Sequence, residues 1–359
     1  MALPINVLQF AGENTSAYEK FQDYFNHYMY EVKGNKRFVG FSNEGTLAQK
    51  EKAMNEVLMA EVCRISGQPM RMEGVSLEQW CANPMLKFAV DSVISTMIDA
   101  IIPTALASID VFAEMKYVGA GQVAEFDVEP NSLYTVTKAG YGRRSVNRTE
   151  EHGTTVTVKP INHMLTTKVS IYEILSGKKN LAEIAMKAVL SLEKEATLEA
   201  ISALTTLVAD SSYPTALKKA GYTPDGLLEV AGIVQSENNS NVVIVGSKRA
   251  LAKVLPTPAG ISIGVDGNDM RINVIKDFYG YGVIELQQVK GATDFTTVFP
   301  DDKIFIVSTG TDKIIKGVVE DVALGNRYLT ADNAELSTYN KSFGFDAVTA
   351  SVMGVITFA

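Results

Sequence analysis

Beyond Val111 the sequence stops repeating with the period of a helix and begins to alternate, and this change restricts the fold more than any other feature of the chain. Ala124, Phe126 and Val128 alternate with Glu125, Asp127 and Glu129, and Val156 and Val158 alternate with Thr155, Thr157 and Lys159. Successive side chains of a strand point to opposite faces, so each run predicts a strand with one apolar face. Between the two runs, Gly140 to Gly153 carries Arg143, Arg144, Arg148, Glu150 and Glu151 with almost nothing apolar. The pattern predicts a long β-hairpin whose charged tip, Tyr141 to His152, projects into solvent or onto another subunit. The tip arginines are interleaved with glutamates and lack aromatic platforms, which favours ion pairs between subunits over contacts with nucleic acid. Leu165, Thr167, Val169 and Ile171 alternate again and bring the chain back to the body.

Helical patterns flank this region. Residues 1 to 40 mix aromatic and charged side chains without a sustained period and predict an extended arm with one short helix around Tyr18 to Tyr30. Leu47, Met54, Leu58 and Ile65 predict a helix ending near Gly67 and Pro69, and a second begins after Pro84 and runs through Phe88, Val90, Val93, Ile94 and Met97. Asn180 caps a predicted helix through Leu207, which at 1.5 Å per residue spans about 40 Å. Its apolar side includes Leu181, Ala188, Leu192 and Leu204, with Glu193, Lys194, Glu195 and Glu199 solvating the middle. After Pro214 the chain alternates between α and β. Thr223 and Pro224 start a helix, Asn241 to Val245 form a short buried strand, and Ser247 to Leu255 follow as helix. Pro256, Pro258 and Gly260, then Gly264, Asp266, Gly267 and Asn268, mark a surface loop. Lys303 to Val307, Ile314 to Val319 and Phe343 to Phe358 read as strands rejoining the first lobe.

Composition excludes several function classes. With 359 residues, 46% hydrophobic and 21% charged, the chain has the make-up of a folded domain. Its 33 basic and 41 acidic residues leave a net charge of -8, which opposes binding driven by phosphate neutralisation. Two cysteines, Cys63 and Cys81, form neither a disulfide framework nor a four-ligand zinc site, and suit a reducing compartment. Met1 to Phe10 lacks the features of a secretory signal. Met97 to Ile109, interrupted by Asp99 and Pro103, is shorter than the roughly 20 apolar residues that span a bilayer, so it is expected in the core and no membrane partner is expected.

No catalytic, cofactor or metal site is expected. Gly119-Ala120-Gly121-Gln122-Val123-Ala124 fits a dinucleotide fingerprint, but a strand follows where the pyrophosphate would need a helix N-terminus, so it is read as a turn. Ser176 to Lys179 and Ser191 to Lys194 fit S-x-x-K without the companion motifs of that family. His27, His152 and His163 are widely separated and form no metal-ligand spacing. The loop Asp266 to Asp269 lacks EF-hand periodicity.

Taken in order, these segments resemble the major capsid proteins of tailed bacteriophages, the Hong Kong 97-like fold. That α+β architecture comprises an N-terminal arm, a long hairpin called the E-loop, a spine helix, a peripheral P-domain and an axial A-domain. The resemblance rests on segment order, including the spine running into Asn241 to Leu255, and not on any single motif. It implies an arm and helix over 1–74, P-domain parts over 75–118, 166–209 and 290–359, an E-loop over 119–165 and an A-domain over 210–289. The function implied is a coat protein, not an enzyme, that self-assembles through hexameric and pentameric capsomers into the icosahedral shell around a phage genome. Intersubunit contacts are expected at Tyr141, Arg143, Arg144, Arg148, Glu150 and Glu151 of the hairpin and at Pro256, Pro258, Asp266 and Asn268 of the A-domain. Expected partners are other copies of the chain, a portal, and scaffolding or decoration proteins, with the DNA enclosed rather than read. The expected location is the virion, after assembly in the host cytoplasm. An encapsulin nanocompartment, another shell or tail protein, and a soluble α/β enzyme are the alternatives.

Overall fold

A computed structural model describes residues 15–35, 38–69, 76–109, 113–128, 134, 136, 153–211, 213–254, 277–286, 288, 296–310, 312–320, 324–329, 335–348 and 352–358, and among them the hydrophobic pattern folds into two helix-covered sheets and a separate two-stranded pair. The helices are α1 (Thr15–Glu31), α2 (Leu47–Ser66), α3 (Leu77–Cys81), α4 (Pro84–Ala105), α5 (Ile171–Leu175), α6 (Leu181–Ala209), α7 (Pro224–Asn238) and α8 (Lys248–Ala252). Among the described residues, no helix is long and apolar enough to cross a membrane.

The larger sheet is organised around β12 (Glu335–Ala347). β10 (Ile315–Glu320) and β11 (Leu324–Leu329) lie one after the other along one edge of β12, in the registers Val319↔Phe343 and Leu324↔Asn340. β4 (Ile161–Thr167) occupies the other edge, with Ile161 also opposite Phe343. β1 (Ala113–Val118) adds parallel to β10. α4 and α6 pack on this sheet, α2 packs over both helices, and α1 packs on α2. α4 is apolar nearly all round, as expected of a helix between layers: Leu86, Ala89, Val90, Val93, Ile94, Met97, Ile98 and Ile101 are all buried. Phe88 departs from the expected apolar side and is exposed.

The second sheet runs β5 (Lys218–Ala220), β13 (Gly354–Thr357), β9 (Lys303–Ser308), β6 (Val242–Ser247), β8 (Tyr281–Leu286) and β7 (Asp277–Phe278). α7 covers it through Leu227, Val230, Ala231 and Val234, which pack with Val242, Ile244, Ile304, Ile306 and Ile356. Thus Lys303–Val307 and the last part of Phe343–Phe358 do not rejoin the first lobe, as the sequence had suggested, but complete the second. The reason is visible in β9. Ile304 and Ile306 enter the smaller core while Phe305 and Val307 enter the larger one, so the strand is apolar on both faces and serves both lobes.

Three further expectations need correction. The helix expected around Tyr18 to Tyr30 is α1, but it does not belong to an extended arm: α1 buries Phe21, Tyr24, Phe25 and Met29 in the main core, and Phe38 meets Phe25 edge-on at 5.8 Å. Residues 1–14 lie outside the described residues. Ile171 does not continue the β4 alternation but starts α5, with the Ser170 hydroxyl accepting from the Tyr172 amide. Glu193 does not solvate the spine helix α6. It is 8% exposed, and burial pushes its carboxyl up to about 7, with Lys33 acting in the opposite sense.

Capping explains where the main helices begin. Thr46 and Gln49 form a capping box at α2, and Gly67 ends that helix at φ 66. Asn83 with Pro84, and Thr223 with Pro224, start α4 and α7. The spine helix is different: Asn180 stands at its N-cap, but the Leu181 amide donates to Asn55 Oδ1 of α2 at 2.8 Å. The Asn180 side chain instead donates to Glu51 of α2 at 2.7 Å. Residues 41–69 therefore fasten the start of the spine.

Candidate functional site

The hairpin begins as the alternation predicts. β2 (Ala124–Val128) pairs antiparallel with β3 (Thr154–Val158), from Ala124↔Val158 to Val128↔Thr154. The apolar face of this root, Ala124, Phe126 and Val158, packs on Val318 of β10. Phe126 is buried, with Lys116 Nζ 4.5 Å and Lys316 Nζ 5.6 Å from its ring centroid. Lys116 also donates to the Glu125 carbonyl at 2.6 Å. Lys316, itself buried, pairs with Glu114 at 2.5 Å and Asp312 at 3.2 Å, so the cation under the ring is compensated.

The glycine-rich stretch before the hairpin is a turn, as its context indicated. The Gln122 amide closes it on the Gly119 carbonyl at 3.0 Å, and Gly121 takes φ +76. The Gly121 amide donates to the Glu320 carboxylate at 2.9 Å, which ties the turn to the end of β10.

Farther along the hairpin, Tyr134 is 67% exposed and Val136 93% exposed. The six hairpin residues singled out from the sequence, Tyr141, Arg143, Arg144, Arg148, Glu150 and Glu151, lie outside the described residues. So do Pro256, Pro258, Asp266 and Asn268 of the second lobe. What the structure describes is the base of each feature: β2 and β3 for the hairpin, and β6, α8 and β8 for the lobe. There the Ser247 hydroxyl caps α8 and donates to Asp301 at 2.7 Å, and Gln288 donates to the same carboxylate at 2.9 Å.

Sequence reading missed the ionic fastening between α4 and the large sheet. Arg327 of β11 makes a two-pronged pair with Asp91, both bonds 2.9 Å, and Tyr339 donates to the same carboxylate at 3.1 Å. Glu335 receives Lys87 at 2.6 Å and Arg327 at 3.4 Å, and accepts from the Ile171 amide at 3.1 Å. Two turns farther along α4, Asp99 pairs with Lys341 of β12, and both are buried. The available signal was the spacing of Asp91 and Asp99, eight residues apart on one face of an otherwise apolar helix.

Among the described residues, no group of His, Cys, Asp and Glu side chains is arranged to hold a metal ion. The two cysteines are half-buried, and burial pushes both thiols up, which disfavours the reactive thiolate.

No family model matches the sequence, and no curated protein does. Solved structures match by shape. The capsid of an empty GTA particle, computed with C5 symmetry, aligns at a TM-score of 0.50 and 14% identity, covering 71% of this chain and 90% of that one. The chain has the capsid-protein fold. Two further solved structures align at lower TM-scores. The bacteriophage PhiM1 mature capsid aligns at TM-score 0.46 and 10% identity, covering 69% of this chain and 86% of that one. A virus-like particle from Pyrococcus furiosus aligns at 0.43 and 11%, covering 74% and 98%. β2 and β3 flank the stretch read from the sequence as a hairpin, and α6 covers the helix expected from Asn180 to Leu207.

Proposed function

We propose that this chain is a major capsid protein, a subunit that builds a closed shell by self-assembly. The capsid-protein fold is the observation that carries the reading. The hairpin supports it, because its root is fixed on the body by Phe126 while Tyr134 and Val136 present apolar surface farther out. In such a shell the hairpin crosses onto a neighbouring copy through Tyr141, Arg143, Arg144, Arg148, Glu150 and Glu151. The loop carrying Pro256, Pro258, Asp266 and Asn268 faces the axis of a hexameric or pentameric capsomer. Each contact is repeated at every subunit, so modest pairwise energies sum to a stable lattice. The net charge of -8 suits a container that encloses DNA without gripping it. Assembly in the host cytoplasm, with a portal and a scaffolding or decoration protein, belongs to the same proposal.

The test is electron microscopy of the purified chain across salt and concentration, alone and with a scaffold supplied, beside a variant lacking Gly140 to Gly153. The proposal expects closed shells or capsomer rings from the intact chain, and a folded variant that forms neither. Normal particles from the deletion would overturn the hairpin assignment, and a uniform monomer or dimer of the intact chain under all conditions would overturn the shell reading.

A further inference from the structure

β4 is the strand by which the hairpin returns to the body. It begins at Ile161, with two residues between it and the end of β3 at Val158. Among the described residues β4 pairs only with β12, so a single ladder holds it, and Ile161 and Met164 are exposed on it. Its one titratable side chain, His163, has an unusual set of neighbours. Nδ1 lies 2.9 Å from the carbonyl oxygen of Ile161, and Nε2 lies 3.0 Å from Glu199 Oε1 on the spine helix α6. The ring is stacked on Phe343 of β12 with centroids 3.8 Å apart and planes 2° from parallel.

A carbonyl oxygen and a carboxylate both accept, and a neutral imidazole has only one N–H to give. Only the imidazolium satisfies both neighbours at once. Its charge also suits the face of an aromatic ring. The second oxygen of Glu199, Oε2, is buried without a hydrogen-bond partner among the described residues, so His163 is the group that answers this carboxylate. From α6, Glu195 adds negative charge from the same helix side. From β12, Lys341 stands directly opposite His163 in register, but its ammonium is engaged by Asp99 of α4.

We propose that charged His163, held between Glu199 and the Phe343 ring, is a proton-dependent latch fastening β4, and through it the inner arm of the hairpin, to the spine helix. The hydrogen bond that His163 donates to Glu199 raises its pKa above the ordinary 6.5, outweighing the opposing effect of burial. The contribution is therefore complete below the unfolded value of 6.5 and is lost as pH rises through the higher folded value. Once the proton leaves, either the Ile161 carbonyl or the Glu199 carboxylate faces a lone pair, and the root of the inner arm loosens. The latch operates within one chain and does not depend on shell formation.

Exchange of the imidazole C2 hydrogen, followed by mass spectrometry of the peptide containing His163, measures this titration in the full chain at any assembly size. Backbone amide exchange of Thr154–Thr167, corrected for the intrinsic pH dependence, reports the opening. The expected result is a His163 midpoint above 6.5 that falls toward 6.5 in Glu199→Gln. Protection of Thr154–Thr167 relative to α6 should drop across the same midpoint in the wild type, with no such step in the variant. A wild-type midpoint at or below 6.5 would overturn the latch, as would strand protection that ignores the His163 titration. The wild-type measurements decide the question alone if Glu199→Gln does not fold.

Discussion

Glu193→Gln replaces a carboxyl in the middle of the spine helix with a group of the same shape that cannot ionise. In the folded chain Glu193 is 8% exposed, and burial raises its carboxyl to about 7 from the ordinary 4.5. Between those two values the native state holds a proton that the unfolded chain has released. Stability therefore falls as pH rises across this window, and the deficit is complete above about 7. At 1.36 kcal/mol per pH unit, the distance between the two values corresponds to about 3 kcal/mol. Glutamine removes this penalty, so Glu193→Gln should be more stable than the wild type by about 3 kcal/mol at pH 8 and by little at pH 4. Urea unfolding of the unassembled chain at both pH values measures the difference. The fluorescence of Trp80, the single tryptophan and a buried one, is a convenient signal. With a urea slope of about 3 kcal/mol per molar, the midpoints should separate by about 1 M at pH 8. Identical pH profiles for the two proteins would refute the reasoning, because they would mean that Glu193 ionises as freely as a solvated helix residue.

Other substitutions probe the remaining fastenings. Lys341→Met removes the ammonium paired with the buried Asp99 carboxyl and should cost about 3–5 kcal/mol in urea unfolding, whereas pairing it with Asp99→Leu should recover most of the loss. Asn55→Ala removes the acceptor for the Leu181 amide and should cost about 1 kcal/mol, with faster amide exchange confined to the first turn of α6. At Gly344, an added methyl would sit 2.5 Å from the Lys159 carbonyl oxygen. Gly344→Ala should accordingly lower stability by about 1–3 kcal/mol and raise exchange at the β3–β4 corner.

Local chemistry was legible in the sequence. Thr223 with Pro224 was read as a helix start and is one in the structure, while Thr46 with Gln49 and Asn83 with Pro84 are short-range signals of the same kind that the sequence reading passed over. The alternation around Phe126 and Val156 gave the paired strands because the two residues face one another in register. Long-range choices were not legible. Asn180 has the right identity for a cap, yet the cap comes from Asn55, 126 residues away in sequence. Glu193 looks like a solvated helix residue from its neighbours in sequence, yet tertiary packing buries it. The double burial of β9 gives no periodic signal that says which sheet receives it. Of the candidate site, the hairpin root is seen, while the ten contact residues named from the sequence lie outside the described residues and rest on the proposal.

The chain weaves its two sheets together. After β4 it leaves the larger sheet to build β5 through β9, returns for β10 to β12, and then adds β13 to the smaller sheet between β5 and β9. β13 pairs Val355 with Lys218 and with Phe305, so the smaller sheet joins residues made more than a hundred positions apart. Such late, distant contacts slow folding, and the six-stranded sheet cannot close until synthesis has reached Thr357. A chain stopped short of that strand leaves β5 and β9 with open edges, so β13 both finishes this sheet and covers the strand edges that would otherwise pair with other chains.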